Sequence, residues 1–217
     1  MWILGGRNDI GLLDFWNKRY SAFTADENSK TYYGAYGYRL FAQQGFDQVE
    51  RAYLALKSKP ESRQIVLQIW DAKTDLPLKN GKPQSKDIPC NICSMLKIRD
   101  NKLDWMQIMR SNDIYLGLPH NLVQFTSLQE IIAGWLEIDV GTYTHLSDSL
   151  HLYTEYAGKK LDISIADVKG VKNSDNLSIP KVEFNSLLKE ILGRMGQLIV
   201  TKDPETILKL GTLLSKH

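Results

Sequence analysis

The sequence predicts an α+β fold, and two observations lead to that class. Short β-branched segments are mixed with long helical patterns, and the two kinds do not alternate regularly along the chain. Regular alternation would instead have favoured a doubly wound parallel sheet. A length of 217 residues suits one domain with a substantial core. We therefore expect a single domain over residues 1–217.

Helical periodicity is found in five segments, at residues 10–23, 46–57, 119–136, 183–199 and 204–215. The second segment is the clearest, because its apolar residues fall on one face and Pro60 lies just beyond its end. The third segment is largely apolar and predicts a long buried helix.

Three regions have the pattern of strands. Residues 65–70 are apolar and β-branched, which is typical of a buried strand. A polar turn at residues 99–102 separates two strand-like runs and predicts a hairpin formed by residues 92–98 and 103–108. Thr, Tyr and Val residues over positions 140–153 predict a further strand. Polar, turn-rich stretches predict surface loops at residues 74–86 and 169–178.

The composition argues against several classes of partner. A net charge of +2 is too small to indicate nucleic acid or a membrane surface, so a bound anion must be held by a few placed cations. No apolar run approaches the length of a membrane span, and we expect no secretory signal. Two cysteines cannot form a disulfide framework, which makes the cytoplasm the expected location.

Cys90 and Cys93 form a Cys-x-x-Cys pair, a spacing found in redox dithiols and zinc sites. Zinc needs four ligands, and with no second pair and no zinc-finger spacing among the histidines we expect no metal. A redox pair usually opens a helix. This pair opens a predicted strand, where positions three apart point to opposite faces, so we expect no mutual disulfide. Both cysteines could be buried hydrophobes, which we prefer for Cys93. Taken alone, Cys90 would also fit that interpretation better, although Pro89 gives it a stiff mount.

A polar cluster after the predicted hairpin favours the interpretation of Cys90 as a nucleophile over that of a buried hydrophobe. Arg110 and Ser111 offer a charged and a neutral donor, which suits a phosphate. The amide of Asn121, in the first turn of the predicted helix, matches N3–H and O4 of uracil. His151 and Tyr153 share one face of a predicted strand, and both can bond a sugar hydroxyl.

Each of these residues has a structural explanation when it is taken singly. Arg110 could be a surface charge, Asn121 a helix cap and His151 a core histidine. The set together supplies ligands for phosphate, base and sugar beside a cysteine. This combination favours a site for a pyrimidine nucleotide, with Cys90 as its nucleophile.

Five runs of residues occur in one order over most of the first 155 positions: Tyr36-Gly37, residues 60–71, Pro89-Cys90, residues 110–121 and residues 151–153. In these runs the chain resembles the superfamily of thymidylate synthases and nucleotide hydroxymethylases. The Arg-Ser-x-Asp-x-x-x-Gly-Leu-Pro-x-Asn string is highly specific. The resemblance implies a large mixed β-sheet that packs back to back in a homodimer. It also implies 5,10-methylenetetrahydrofolate as co-substrate and a pyrimidine nucleoside monophosphate as acceptor.

The same resemblance implies a role for each matching residue. Cys90 would add to C6 of the pyrimidine, which makes C5 nucleophilic. Arg110 would bind phosphate and favour the Cys90 thiolate, while Asn121 would read the base. The other implied roles are phosphate binding by Ser111 and by Arg63 of the other subunit, sugar binding by His151 and Tyr153, contact with the folate pterin by Asp113 and Gly117, proton transfer by Tyr36, and lining of the folate pocket by Trp16.

Four features depart from the family pattern. Trp2-Ile3-Leu4 and Gly6 match a family helix whose catalytic glutamate would precede Met1. Gln64 stands in place of a phosphate-binding arginine, and Asn91 in place of a histidine near C4 of the base. The C-terminal residues 209–217 do not resemble the apolar tail that shields hydride transfer from water. Without that shield, water could trap the transferred carbon as a hydroxymethyl group.

Three hypotheses follow. The first is one-carbon transfer to C5 of dUMP, with a methyl or a hydroxymethyl product. The second is a hydroxymethylase acting on a cytosine nucleotide or a ribonucleotide. Superfamily members that act on cytosine usually carry Asp at the position of Asn121, so this residue favours uracil. The third is a non-catalytic paralogue that binds nucleotide, which the missing glutamate supports and the retained Cys90 opposes.

Overall fold

The computed structural model describes residues 2–16, 24, 29–157 and 176–201, and omits the side chains of residues 15, 16, 156, 157 and 198–201. In these ranges the chain forms α1 (Ile10–Trp16), α2 (Tyr36–Phe41), α3 (Gln48–Ser58), β1 (Val66–Gln68), α4 (Ala72–Asp75), β2 (Asn91–Arg99), β3 (Lys102–Asp113), α5 (Gly117–Leu136), β4 (Asp139–His151), α6 (Thr154–Ala157) and α7 (Lys181–Thr201). None of the helices in these ranges is long and apolar enough to cross a membrane.

The described strands form one mixed four-stranded sheet in the order β1-β2-β3-β4. β1 and β2 are antiparallel, as are β2 and β3, whereas β3 and β4 run parallel. The predicted hairpin is confirmed: Asp100 and Asn101 form its turn with φ of 49° and 57°, a conformation that Asp and Asn tolerate better than most residues. The predicted α+β class is therefore confirmed.

The long helix α5 covers one face of the sheet. Phe125 and Ile132 of α5 are fully buried against Leu103 and Trp105 of β3. Gln129 crosses the same contact and donates from Nε2 to the carbonyl of Leu103 at 2.7 Å. The helix begins at Gly117, close to the end of β3, so this packing fixes its N-terminus beside the carboxyl end of that strand.

Strand β2 is irregular at its start, where its register with β3 shifts between Asn91 and Cys93. As a result Asn91 and Ser94, three positions apart, are both buried and both bond Gln107. Simple alternation therefore does not hold across this bulge, and the expectation that Cys90 and Cys93 lie on opposite faces loses its basis. Both cysteines are nonetheless free thiols, as expected.

A buried ion pair fixes α2 against the sheet. Arg39 bonds Asp75 through two nitrogens at 2.6 and 2.9 Å, and both side chains are at most 2% exposed. Arg39 also donates to the carbonyl of Ile69 at 3.0 Å, next to β1. Asp75 belongs to α4, so the predicted loop over residues 74–86 is wrong at its first two positions. The ion pair buries Asp75, which a polar sequence pattern does not reveal.

A glycine lets α2 approach the N-terminal turns closely. A Cβ atom on Gly37 would lie 2.5 Å from the carbonyl oxygen of Ile3, well inside van der Waals contact. Only glycine fits at this position, which explains why Gly37 accompanies Tyr36 in the sequence run noted above.

The other predicted elements fare as follows. Helices at 46–57, 119–136 and 183–199 are confirmed as α3, α5 and α7, and strands at 65–70 and 140–153 as β1 and β4, with small shifts at the ends. The helix at 10–23 is confirmed to Trp16, and α2 was not predicted. The helix at 204–215 and most of the loop at 169–178 lie outside the described residues.

The ion pair yields a stability prediction. Replacing Asp75 with Ala leaves the Arg39 guanidinium buried and unpaired, so we expect the free energy of unfolding to fall by about 3–5 kcal/mol. Urea denaturation followed by circular dichroism measures it. Glu61→Ala, at an exposed position, is the control and should change the free energy of unfolding by less than about 0.5 kcal/mol. Equal effects of the two substitutions would contradict this account of α2.

Candidate active site

The candidate residues meet at one end of the sheet. Cys90 directly precedes β2, while Arg110, Ser111 and Asp113 lie in the last part of β3. The backbone N–H of Arg110 donates to the carbonyl of Cys90 at 2.9 Å, which joins these two segments. β3 and β4 are parallel, and Asp113 pairs with His151. The carboxyl ends of both strands and the N-terminus of α5 therefore surround the same region.

Cys90 is half-buried, and its environment acts on the thiol in two directions. Burial is the largest effect and raises the pKa of Cys90 above its ordinary value. The nearby Arg110 guanidinium lowers this pKa, and the Asp87 carboxylate raises it again. Because burial dominates, the thiol rather than the thiolate is favoured in the free protein, with Arg110 as the opposing influence.

Arg110 holds the segment that carries Cys90. Its Nε donates to the carbonyl of Pro89 and its Nη2 to the carbonyl of Ile88, both at 3.0 Å. The side chain is exposed, so its remaining N–H groups face outward, where an anion could bind them. One guanidinium thus fixes the backbone before the cysteine, lowers the thiol pKa and presents further donors.

Tyr36 of α2 lies over the same region. Burial raises the pKa of its hydroxyl, and the charge of the Cys90 thiolate adds to this effect. A hydrogen bond between the hydroxyl and the Asn91 side chain acts in the opposite direction. The Tyr36 ring packs at 6.1 Å from Phe125 of α5. This tyrosine is therefore a neutral hydroxyl at neutral pH, located between Cys90 and Asn91.

Asn121 is buried in the first turns of α5, at 7% exposure. Its Nδ2 donates to Asn112 Oδ1 at 3.2 Å. Its Oδ1 lies 3.5 Å from Asn91 Nδ2, the outer limit of a hydrogen bond. Gly117 covers this pair, since a Cβ atom there would lie 2.9 Å from Asn112 Oδ1. Asn121 is therefore not simply a helix cap, because its amide contacts the side chains of β2 and β3.

Asp113 accepts hydrogen bonds at the N-terminal end of α5 with one oxygen, and its other oxygen is unpaired among the described residues. Its Oδ1 accepts from the backbone N–H groups of Leu116 and, at 3.4 Å, Gly117. Its Oδ2 is buried and has no hydrogen-bond partner among the described residues. A buried carboxylate oxygen without a donor is costly, so this atom is a natural acceptor for a ligand N–H group.

His151 and Tyr153 lie side by side, although β4 ends at His151. Their rings meet edge to face at 5.1 Å. His151 Nδ1 lies 3.2 Å from the carbonyl of Ser149, and Tyr153 is 54% exposed. Ser111 is half-buried at the end of β3 and pairs with Ser149 in the sheet. These polar groups border the site on its solvent side.

One predicted site residue, Arg63, lies away from the others. Val66 pairs with Met95, so Arg63 lies beyond the middle of β2, toward its far end from Cys90. Met95, the partner of Val66, is already about 16 Å from Cys90 along an extended strand at roughly 3.3 Å per residue. Trp16 is the last residue of α1, and its side chain lies outside the description.

Sequence reasoning missed several polar residues behind the site: Gln107 and Asn112 are buried, and Tyr143, His145 and Ser147 are half-buried. A signal for them exists, because alternate residues of β4 are polar and face α5 while Gln107 lies between the buried Trp105 and Met109. No cluster of His, Cys, Asp or Glu suited to a metal ion occurs among the residues that the structure describes.

Comparison with known proteins agrees with this arrangement. A deoxyuridylate hydroxymethyltransferase from Bacillus phage SP01 is 36% identical over 200 residues, which cover 87% of this chain and 50% of that protein. Another from Pseudomonas phage M6 is 35% identical over 161 residues, which cover 73% of this chain and 44% of that protein. The chain thus spans about half the length of these curated relatives.

The fold is also found among solved structures. The thermostable thymidylate synthase A from Bacillus subtilis superposes with a TM-score of 0.59 and 25% identity, covering 71% of this chain and 55% of that one. The family model for thymidylate synthase matches residues 1–191. Because the family model covers most of the sequence, and a named relative is 36% identical over 87% of this chain, the chain belongs to the thymidylate synthase family.

Proposed function

We propose that the protein transfers a one-carbon unit from 5,10-methylenetetrahydrofolate to C5 of dUMP through a covalent bond between Cys90 and C6 of the base. The observation that carries this proposal is the half-buried free thiol of Cys90 beside Arg110, at the same end of the sheet as the buried amide of Asn121. This set combines a nucleophile, a cation and a base-reading amide.

The chemistry explains why a thiolate is needed. C5 of uracil is a weak nucleophile. Addition of Cys90 to C6 breaks the C5–C6 double bond and leaves its electron pair in an enolate over C5, C4 and O4. C5 then bonds the methylene carbon as its bond to N10 of the folate breaks, N10 takes that electron pair and a proton, and C5 loses its own proton. Tetrahydrofolate departs with the electron pair of the C–N bond, which leaves an exocyclic methylene group on the base.

We propose water as the next reactant, which gives 5-hydroxymethyl-dUMP. Water adds to the exocyclic methylene and loses a proton, and the enolate formed expels the Cys90 thiolate from C6. No hydride moves, so tetrahydrofolate leaves without oxidation. The names of the two phage relatives support this product over a methyl group. A methyl product would require hydride transfer and would release dihydrofolate.

The proposed roles of the remaining site residues rest on the family resemblance and on their position in the site. Arg110 and Ser111 would bind the phosphate, and His151 and Tyr153 the sugar hydroxyl. Asn121 would bond N3–H and O4 of uracil through its amide. Asp113 Oδ2, buried without a partner in the described part of the chain, fits an N–H donor of the folate pterin, and Gly117 lies beside Asp113, where an added Cβ would be 3.6 Å from Asp113 Cβ. Tyr36 would pass a proton near Cys90. Trp16 would line the folate pocket.

A second copy of the chain would complete the site. The sheet face opposite α5 carries an apolar patch of Val66, Met95, Met106, Ile108 and Leu146, bordered by Gln68, Lys97, Asp104 and Thr144, and Val66 and Leu146 are 52% and 54% exposed. Back-to-back packing of two such faces would bury them. It could also bring Arg63, distant from Cys90 in its own chain, to the phosphate site of the partner.

The proposed reaction has a direct test. Incubation with 5,10-methylenetetrahydrofolate and dUMP tritiated at C5 should release tritium to water, without the absorbance rise of dihydrofolate. Cys90→Ser should abolish release, because a hydroxyl is a far weaker nucleophile at neutral pH. Cys93→Ser, at the other free thiol, should retain release. An inactive parent protein, or an active Cys90→Ser variant, would overturn the proposal. A rise in dihydrofolate absorbance would show that the product carries a methyl group and not a hydroxymethyl group.

The electrostatics of Cys90 give a pH prediction. Since burial raises the pKa of this thiol, its alkylation rate should rise with pH through a midpoint above that of an ordinary thiol. Arg110→Gln removes the charge that lowers the pKa, so the midpoint should move to still higher pH. Arg110→Lys keeps the charge and should shift it less. Iodoacetamide labelling of Cys90 in a Cys93→Ser background measures these rates, and a downward shift in Arg110→Gln would contradict the account.

Gly117 provides a prediction on binding. In Gly117→Ala the new methyl group would meet Asn112 Oδ1 at 2.9 Å and displace the amide that bonds Asn121. We expect dUMP affinity to fall about fivefold or more, the value of one weakened hydrogen bond. Titration calorimetry measures it. Gly193→Ala in α7, where a Cβ has open space, is the control and should bind normally. Equal affinities of the two variants would count against the site.

A further inference from the structure

A continuous series of side-chain hydrogen bonds runs behind the candidate base site. We call it the amide relay, and it consists of Trp105, Gln107, Asn91, Asn121, Asn112 and His145. All members but His145 are at most 7% exposed. Each bond in the relay is donated by one residue to the next, from the Trp105 indole to the His145 ring.

The direction of the relay is fixed at Gln107 by two groups that cannot change roles. Trp105 Nε1–H can only donate, and it donates to Gln107 Oε1 at 3.2 Å. The backbone carbonyl of Cys93 can only accept, and it accepts from Gln107 Nε2 at 3.2 Å. A reversed Gln107 amide would face both groups with the wrong atom and leave two buried polar atoms unpaired, at about 1–3 kcal/mol each.

The orientation of Gln107 passes along the relay to Asn121. Gln107 Nε2 also donates to Asn91 Oδ1 at 2.7 Å, which leaves Asn91 Nδ2 toward Asn121. That nitrogen lies 3.5 Å from Asn121 Oδ1. Asn121 therefore turns its oxygen toward Asn91 and its nitrogen toward Asn112 Oδ1, at 3.2 Å.

The far end of the relay imposes no direction. Asn112 Nδ2 lies 3.1 Å from Ser147 Oγ and 3.0 Å from His145 Nε2. A hydroxyl and an imidazole nitrogen can each donate or accept. His145 Nδ1 contacts the Tyr143 hydroxyl at 2.9 Å, another group of the same kind. Burial lowers the pKa of His145, which favours the neutral ring and leaves Nε2 free to accept. The direction of the hydrogen bonds in the relay is therefore set at Gln107 and not at His145.

We propose that Gln107 is a positioning residue that fixes the orientation of the Asn121 amide and thereby makes the site select uracil over cytosine. This inference rests on the proposed function only in taking Asn121 as the group that faces the base. Uracil offers a donor at N3 and an acceptor at O4, while cytosine offers an acceptor at N3 and a donor at N4. One amide orientation matches one base, and the reversed orientation matches the other. A site with a locked amide rejects the wrong base because buried polar atoms would stay unpaired.

Two single substitutions form a matched pair that tests the direction of the hydrogen bonds in the relay, because each adds one carboxylate in contact with Asn121. In Asn112→Asp the new carboxylate still accepts from Asn121 Nδ2, so the orientation of Asn121 is kept. In Asn91→Asp the carboxylate accepts from Gln107 and can only accept from Asn121, which must reverse. Asn112 can reverse with it, because Ser147 and His145 serve either role.

The measurement is the ratio of dissociation constants for dUMP and dCMP, obtained by titration calorimetry on the full chain. The parent and Asn112→Asp should both prefer dUMP, by roughly 100-fold or more. Asn91→Asp should prefer dCMP. An unchanged preference in Asn91→Asp, or the same change in both variants, would overturn the role of the relay. A parent that binds neither nucleotide would overturn the proposed function itself, so the two failures are distinguishable.

A neutral pair guards against misfolding of the charged variants. Asn91→Leu removes the hydrogen bonds that connect Asn121 to Gln107, so the Asn121 amide can take either orientation. The ratio of dissociation constants for dUMP and dCMP should then fall to within about tenfold of unity. Asn112→Leu leaves the Gln107 end intact and should keep the preference for dUMP. Thermal melting confirms that each variant is folded. Equal ratios in the two leucine variants would contradict the proposal.

Discussion

The hydrogen bond between Gln107 and Asn91 is the interaction on which the rest of the candidate site depends. At 2.7 Å it joins β3 to β2 directly behind Cys90, and both side chains are fully buried. A buried amide must satisfy its donors and its acceptor within the protein, so neither residue is free to rotate. The bulge at the start of β2 makes this contact possible, because it turns both Asn91 and Ser94 toward Gln107.

From this contact the site extends in two directions. Toward α5, the amides continue to Asn121, which holds the group that would read the base. Toward α2, the side chain of Asn91 meets the Tyr36 hydroxyl, which lies near the nucleophile. The ion pair of Arg39 and Asp75 fixes α2 from its other side. The nucleophile and the base-reading group are therefore positioned by one buried polar framework, while Arg110 adds the charge that opposes the effect of burial on Cys90.

The sequence was sufficient to predict the fold class, the hairpin and the long helix, because their apolar patterns are strong and local. It also indicated that Cys90 and Asn121 belong to one site, through residue types and a specific family resemblance. The relay could not be predicted. It depends on the bulge near Asn91 and on the burial of Asn112 after Met109, where alternation along β3 changes phase. The ion pair was missed because Asp75 lies in a polar segment whose partner is 36 positions away. Neither the relay nor the ion pair produces a periodic pattern in the sequence.

The covalent bond between Cys90 and C6 of the base is the central claim, and mass spectrometry can detect it. With 5-fluoro-dUMP and 5,10-methylenetetrahydrofolate, C5 carries fluorine in place of the proton that must leave, so the reaction should stop with nucleotide and folate both attached to the protein. The denatured protein should gain the mass of one molecule of each, and peptide mapping should locate the addition at Cys90. A protein of unchanged mass, or an adduct at Cys93, would contradict the account.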